Sequence, residues 1–136
     1  MLKKLLKTGN HSAGTSFALL VFRAGLGIMM LTHGYPKLKS FLSGEYRFKD
    51  PLGLGEDASI ILTVFAEFLC SILVILGLTT RYALVPLIIT MAVAWLIVHG
   101  DDPFGAQEKS VLYLLCYVVL LITGPGKYSV DRRLFH

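Results

Sequence analysis

The chain is poor in charge: only 16% of its 136 residues are Asp, Glu, Lys or Arg, whereas 54% are hydrophobic. With a mean hydropathy of +0.66, that balance excludes an ordinary water-soluble domain, in which roughly 25% of residues are charged. Cysteine is scarce as well. Cys70 and Cys116 stand alone, without a C-x-x-C spacing, so a disulfide framework and a thioredoxin-like pair are both excluded and packing remains as their role. No G-x-G-x-x-G follows a strand and no cysteines cluster, so nicotinamide, flavin and iron–sulfur groups have no motif to hold them. The spacings H-x-x-x-H and E-x-x-H are also missing, which disfavours a helical metal site. The net charge is +4, but no element interleaves basic residues with base-stacking aromatics, which excludes nucleic acid as the partner.

What the chain does have is four apolar runs, at residues 16–35, 59–78, 82–98 and 104–123. Each is close to the ~20 residues a helix needs to cross a bilayer. They predict an all-α membrane protein, one domain over residues 1–136 built as an antiparallel four-transmembrane-helix bundle, with the lipid bilayer as its first partner. The first run follows "MLKKLLKTGNHSAGT" and ends in "HGYPKL" rather than a small-residue cleavage site, so it is expected to stay in the membrane. Residues 36–57 form the sizeable connection. Phe41, Tyr46 and Phe48 among its charges suggest a segment lying on the outer leaflet or folded over the bundle as a lid. "GLTTR" reads as a tight turn between the second and third helices, and Asp102 followed by Pro103 reads as the N-cap and first position of the fourth. Seven basic residues flank the spans on the side of the termini (Lys3, Lys4, Lys7, Arg81, Lys127, Arg132, Arg133) and five on the other (Lys37, Lys39, Arg47, Lys49, Lys109). The positive-inside rule then places both termini in the cytoplasm.

Two sets of ionisable residues stand out against this apolar background. Arg23 and Glu67 lie inside the first two spans at depths that differ by only ~6 Å at 1.5 Å per residue. A charge at that depth is costly alone, so they are expected to pair. On helical spacing, Arg23, Gly27, Met30 and Gly34 share one face, and Thr63, Glu67, Cys70 and Ser71 share another. These faces are the expected contact stripes, with the glycines allowing close approach.

The second set is His33, His99, Asp101 and Glu108. "THGYPKL" closes the first span and "VHGDDPF" the third, an echo suggesting two related helical hairpins that bring both histidines to one outer end. Either histidine alone fits a plain helix end at the interface, but with two acids at the same level a functional cluster is the better reading. A quinone site needs an apolar cleft, donors for the ring oxygens and acids that move protons. His33 and His99 are the candidate donors, Trp95 (four residues before His99) a candidate wall, and Glu67 and Glu108 the candidate proton carriers. The expected catalytic set is therefore His33, Glu67, His99 and Glu108, and the cofactor-binding set His33, Trp95 and His99. A metal or a haem on the same histidines is less favoured. Electrons would have to come from a redox partner protein or a diffusible reductant. The rival readings are a non-enzymatic scaffold or assembly factor and, third, a small-solute carrier.

Taken together, "RAGLGIMMLTHGYPKL", the mid-helix Glu67 followed by "LGLTTR", "AWLIVHGDDPF", Glu108 and the closing "GPGKYSVDRRL" resemble the DoxX family of small four-helix membrane proteins. The resemblance runs from about Arg23 to Asp131. It implies a four-span bundle in the bacterial inner membrane and a link to oxidoreductases, among them the quinone-reducing membrane subunit of thiosulfate oxidation systems. The family's recurring positions fall on Arg23, His33, Lys37, Glu67, Arg81, His99, Glu108 and Asp131. On that reading Arg81 and Asp131 pair to close the cytoplasmic end. The chain has no dithiol to take electrons from sulfur chemistry.

Overall fold

The computed structural model describes residues 2–136, which contain six helices and no strand. They are α1 (Leu2–Leu5), α2 (Ala13–Ser43), α3 (Glu56–Leu76), α4 (Thr80–Val98), α5 (Phe104–Thr123) and α6 (Val130–Phe135). Helices α2 to α5 are each long and apolar enough to span a membrane, as the four apolar runs predict. Large apolar side chains cover the outside, with Phe17 and Ile122 61% and 73% exposed. Lipid is the solvent that makes such a surface stable. Inside, Leu26, Met30, Cys70, Val74, Leu84, Leu87 and Tyr117 belong to a single buried cluster shared by all four spans.

Helix α2 is the largest departure from expectation. Its 31 residues make a rod about 46 Å long, against ~30 Å of hydrocarbon, so its last turns project beyond the membrane. The expected connection at residues 36–57 shrinks to residues 44–55. Pro36 lies inside the helix; it removes one backbone bond but does not end the rod. The end comes at Gly44, whose left-handed backbone (φ 75°) lets its amide bond back to the Phe41 carbonyl at 3.2 Å.

Glycines set the register between α2 and α3. A Cβ on Gly34 would lie 2.5 Å from the Glu67 carbonyl oxygen, and one on Gly27 would lie 2.4 Å from Ile75 Cγ1 and 3.0 Å from the Ser71 carbonyl oxygen. Descending α2 thus meets ascending positions of α3, so the two run antiparallel. Helices α4 and α5 behave alike: Trp95 meets Gln107 near one end and Arg81 meets Leu121 near the other.

The bundle end that carries both termini is closed by three charges, each capping a helix other than its own. Arg23 donates to the carbonyls of Ile75 (2.6 Å) and Val74 (3.2 Å) at the end of α3, and to those of Pro125 (3.3 Å) and Tyr128 beyond α5. Arg81 donates to Leu121 (2.8 Å) and Ile122 (3.3 Å) in the last turn of α5, and to Lys4 and Lys7 near α1. Asp131 accepts the Thr79 amide (2.6 Å), the Thr80 amide (3.0 Å) and the Thr80 hydroxyl (2.8 Å) at the start of α4. Cations therefore sit at helix C-termini and the anion at an N-terminus, as the helix dipole favours. Two expectations are corrected here. Arg23 does not pair with Glu67, because the glycine-set register brings it to Ile75, about two turns below that carboxylate. Arg81 does not pair with Asp131, because orphan backbone groups at helix ends satisfy both side chains.

Candidate functional site

Glu67 lies in a π-helical stretch of α3, Phe65–Cys70, of the kind that recurs at functional sites. The bare backbone of Gly34 presses against this stretch. Lys37, one turn further along α2, consequently stands over Glu67, and its Nζ donates to Oε2. The Glu67 side chain is 6% exposed and that of Lys37 32%. A buried carboxylate thus has a cation whose other side reaches a more open space. Lys37 holds the place that sequence reasoning gave to Arg23. Helical spacing does point to it, since Lys37 lies three residues beyond Gly34.

That space is a cavity of about 540 Å³. Its walls are α3 (Leu62, Thr63, Phe65), α4 from Pro86 to Val98 and the connection from Arg47 to Leu54, with the half-buried Lys37 and buried Glu67 as its polar edge. The other polar lining groups are Arg47, Lys49, Ser59, Thr63 and Thr90. Volume and lining match a small-molecule site: mostly apolar, with a few placed polar groups. Leu62 and Ile89 are half exposed on the outside of the bundle, so the cavity opens between α3 and α4 toward lipid. The connection packs against the bundle and walls the cavity.

The histidines occupy other places. His33 is half-buried and meets Tyr113 edge-on with ring centroids 6.0 Å apart; Tyr113 in turn stacks on Tyr117 at 5.9 Å. His99 faces Asp102, its Nδ1 2.7 Å from Oδ2. Neither histidine lines the cavity, and no ring contact or hydrogen bond joins them. Trp95 also stays out of the lining; its indole donates to Gln107 Oε1 at 3.2 Å. Asp101 and Glu108 are exposed.

The turn at residue 100 is held by a residue that sequence reasoning passed over. Gln107 Nε2 donates to the carbonyls of His99 (2.8 Å), Asp102 (2.9 Å) and Gly100 (3.3 Å). Asp102 is not the N-cap of α5, which corrects a further expectation. The cap is Pro103 (ψ 151°), whose ring offers no acceptor, while the Asp102 carboxylate is engaged by His99. Among the described residues no three His, Cys, Asp or Glu converge as metal ligands.

Comparison with known proteins agrees with this architecture. A family profile described as DoxX matches residues 18–100. The chain is 31% identical to an uncharacterized membrane protein of Mycobacterium tuberculosis, over 91% of this chain and 85% of the relative. It is 28% identical to the inner membrane protein YphA of Escherichia coli, over 94% and 98% of the two chains. Inner membrane protein YqjF of the same bacterium is also 28% identical, over 85% and 91%. No solved structure matches.

Proposed function

The chain belongs to the DoxX family, and we propose that it is a quinone-binding oxidoreductase subunit of the bacterial inner membrane, with both termini cytoplasmic and a partner protein supplying electrons. The observation that carries this reading is the Lys37–Glu67 pair in the wall of an apolar cavity open to lipid. The residues fit a quinone head: apolar walls from α3 and α4, an ammonium donor for a ring oxygen, and a carboxylate that accepts a proton when its partner turns away. A bound quinone supplies the two-electron, two-proton chemistry that no side chain of this protein offers.

In this reading Lys37 holds the ring oxygen and Glu67 Oε2 carries the proton. His33, four residues before Lys37 on α2, relays protons on the Tyr113 side. His99 and Glu108 exchange them with water at the exposed end, and Trp95 backs the wall through its neighbour Ala94. The test is mass spectrometry of the organic extract from gently purified wild type, Glu67→Gln and His99→Ala. Quinone held by the wild type and lost from a folded Glu67→Gln supports the site. Equal loading, or none in any of the three, rejects it. Loss only from His99→Ala would return the site to the turn at residue 100.

A second reading, a non-catalytic scaffold, is favoured by the three charges that tie helix ends together. It is distinguished by partner capture that survives Glu67→Gln unchanged.

A further inference from the structure

The connection at residues 44–55 sorts its charges. Asp50 accepts bonds from the amides of Leu54 and Gly55 and from the Ser59 hydroxyl, all at 2.9 Å. Glu56 accepts the Phe48 amide, and Asp57 accepts the Tyr46 hydroxyl at 2.5 Å. Three acids are thus used internally to shape the segment, and the remaining one, Glu45, lines neither of the cavities described here. Among the described residues the Arg47 and Lys49 side chains have no hydrogen bond or ion pair, yet both line the cavity. Lys49 also lines a second, adjoining space of about 330 Å³ with Asp50, Pro51, Ile97 and Val98.

Below these two cations the walls are mostly apolar, interrupted by Thr63, Thr90 and the Lys37–Glu67 pair. From Val98 to Pro86 the cavity follows thirteen residues of α4, a rise of about 18 Å. That is a little more than the ~15 Å depth of hydrocarbon in one leaflet, half of ~30 Å. Two unpaired cations at the membrane edge above an apolar slot one leaflet deep match an amphiphile with an anionic head.

We infer that this cavity binds an anionic phospholipid, with the headgroup phosphate on Arg47 and Lys49 and one acyl chain lying between α3 and α4. The inference goes beyond the quinone reading and stands without it; a quinone and the acyl chain would displace one another.

Trp95 is the sole tryptophan; its indole bonds to Gln107 outside the lining, but its neighbour Ala94 forms part of the cavity wall, which makes it the native probe nearest the occupant. The full chain is reconstituted in vesicles containing phosphatidylglycerol or phosphatidylcholine with brominated acyl chains, which quench at short range. Half-quenching should need roughly thirtyfold less brominated phosphatidylglycerol, the order expected for two cations near a headgroup. The preference should fade in 0.5 M salt, on the order of a ~4 Å screening length. Arg47→Gln with Lys49→Gln should abolish it at unchanged Tm, while Arg47→Lys with Lys49→Arg should keep it.

Equal quenching by the two lipids overturns the proposal, as does a preference that survives the double glutamine variant, since the selective site would then lie elsewhere. Inorganic phosphate that cancels the preference at millimolar concentration would reduce the site to an ion site and reject the lipid. Quinone retention plays no part in these readings, and Glu67→Gln tests that separately.

Discussion

Replacing Gly34 by Ala asks whether the α2–α3 contact is as tight as the geometry demands. The new Cβ would lie 2.5 Å from the Glu67 carbonyl oxygen, 2.6 Å from its carbonyl carbon and 2.8 Å from the Phe68 amide nitrogen. Ordinary contact begins near 3.4 Å, so the two backbones must part by 0.9 Å (3.4 minus 2.5). The obstacle is backbone rather than a side chain that could swing aside, which puts the overpacking cost toward the upper part of the usual ~1–3 kcal/mol range. Alanine returns about 1 kcal/mol of helix propensity, leaving a net loss of about 1–2 kcal/mol. Gly25 is the control: nothing lies within 4 Å of its Cβ position, so Gly25→Ala should be neutral or stabilising by up to about 1 kcal/mol. Unfolding in mixed micelles with rising SDS, followed by circular dichroism, measures both variants against wild type. Gly34→Ala as stable as Gly25→Ala would refute the close approach, and with it the account of why Lys37 rather than Arg23 reaches Glu67.

Two further outcomes follow from the same geometry. Lys37→Met should destabilise the bundle by about 2 kcal/mol, less than a fully buried pair because Lys37 is partly exposed; adding Glu67→Gln should restore most of it, and additive losses in the same assay would mean the pair is not coupled. Asp50 lies outside the spans, and bonds from the Gly55 amide, the Ser59 hydroxyl and the Leu54 amide hold its carboxyl below its ordinary value of 3.8. A depressed folded value adds stability that is present above the unfolded value and lost as pH falls through the folded one. The connection should therefore stay docked at pH 5 and loosen only below 3.8. Carbon NMR of the Asp50 carboxyl should give a midpoint below that value, and one at or above it contradicts the bonding.

Much of the fold was legible because span length and apolar runs are dictated by the bilayer. The end of α2 was not. Pro36 is a sound stop signal in an isolated stretch, but a proline costs one hydrogen bond while the remaining turns still pack and bond, and only Gly44 supplies a backbone that ends them. The contact stripes were also legible: Gly27, Gly34, Glu67 and Ser71 do meet across α2 and α3. The pairing of Arg23 failed because depth counted from estimated helix starts carries an error of a turn or more. A charge also need not seek an opposite charge when orphan carbonyls stand nearer. The cavity was illegible for another reason, since its walls come from α3, α4 and the connection, whereas of the histidines that drew attention one lies well inside α2 and the other at the end of α4.

The three charges at the end carrying the termini cannot change partners cheaply. Arg23 is 1% exposed and Asp131 2%, and their partners are backbone groups, joined for Asp131 by the Thr80 hydroxyl. Protonating Asp131 or withdrawing Arg23 would strand helix-end amides or carbonyls, each about 1–3 kcal/mol to leave unbonded in an interior. Glu67 differs. Among the described residues it is the buried carboxylate of a membrane span, and its partner is a single flexible side chain with open space beside it. Once protonated, Glu67 would be neutral and compatible with its apolar surroundings, while Lys37, whose side chain is 32% exposed, keeps its charge on the more open side. No backbone bond is lost in the exchange. In the proposed function a proton would enter and leave at Glu67 without loosening a helix, which is why that proposal places its chemistry at the Lys37–Glu67 pair rather than at the better-connected charges below it.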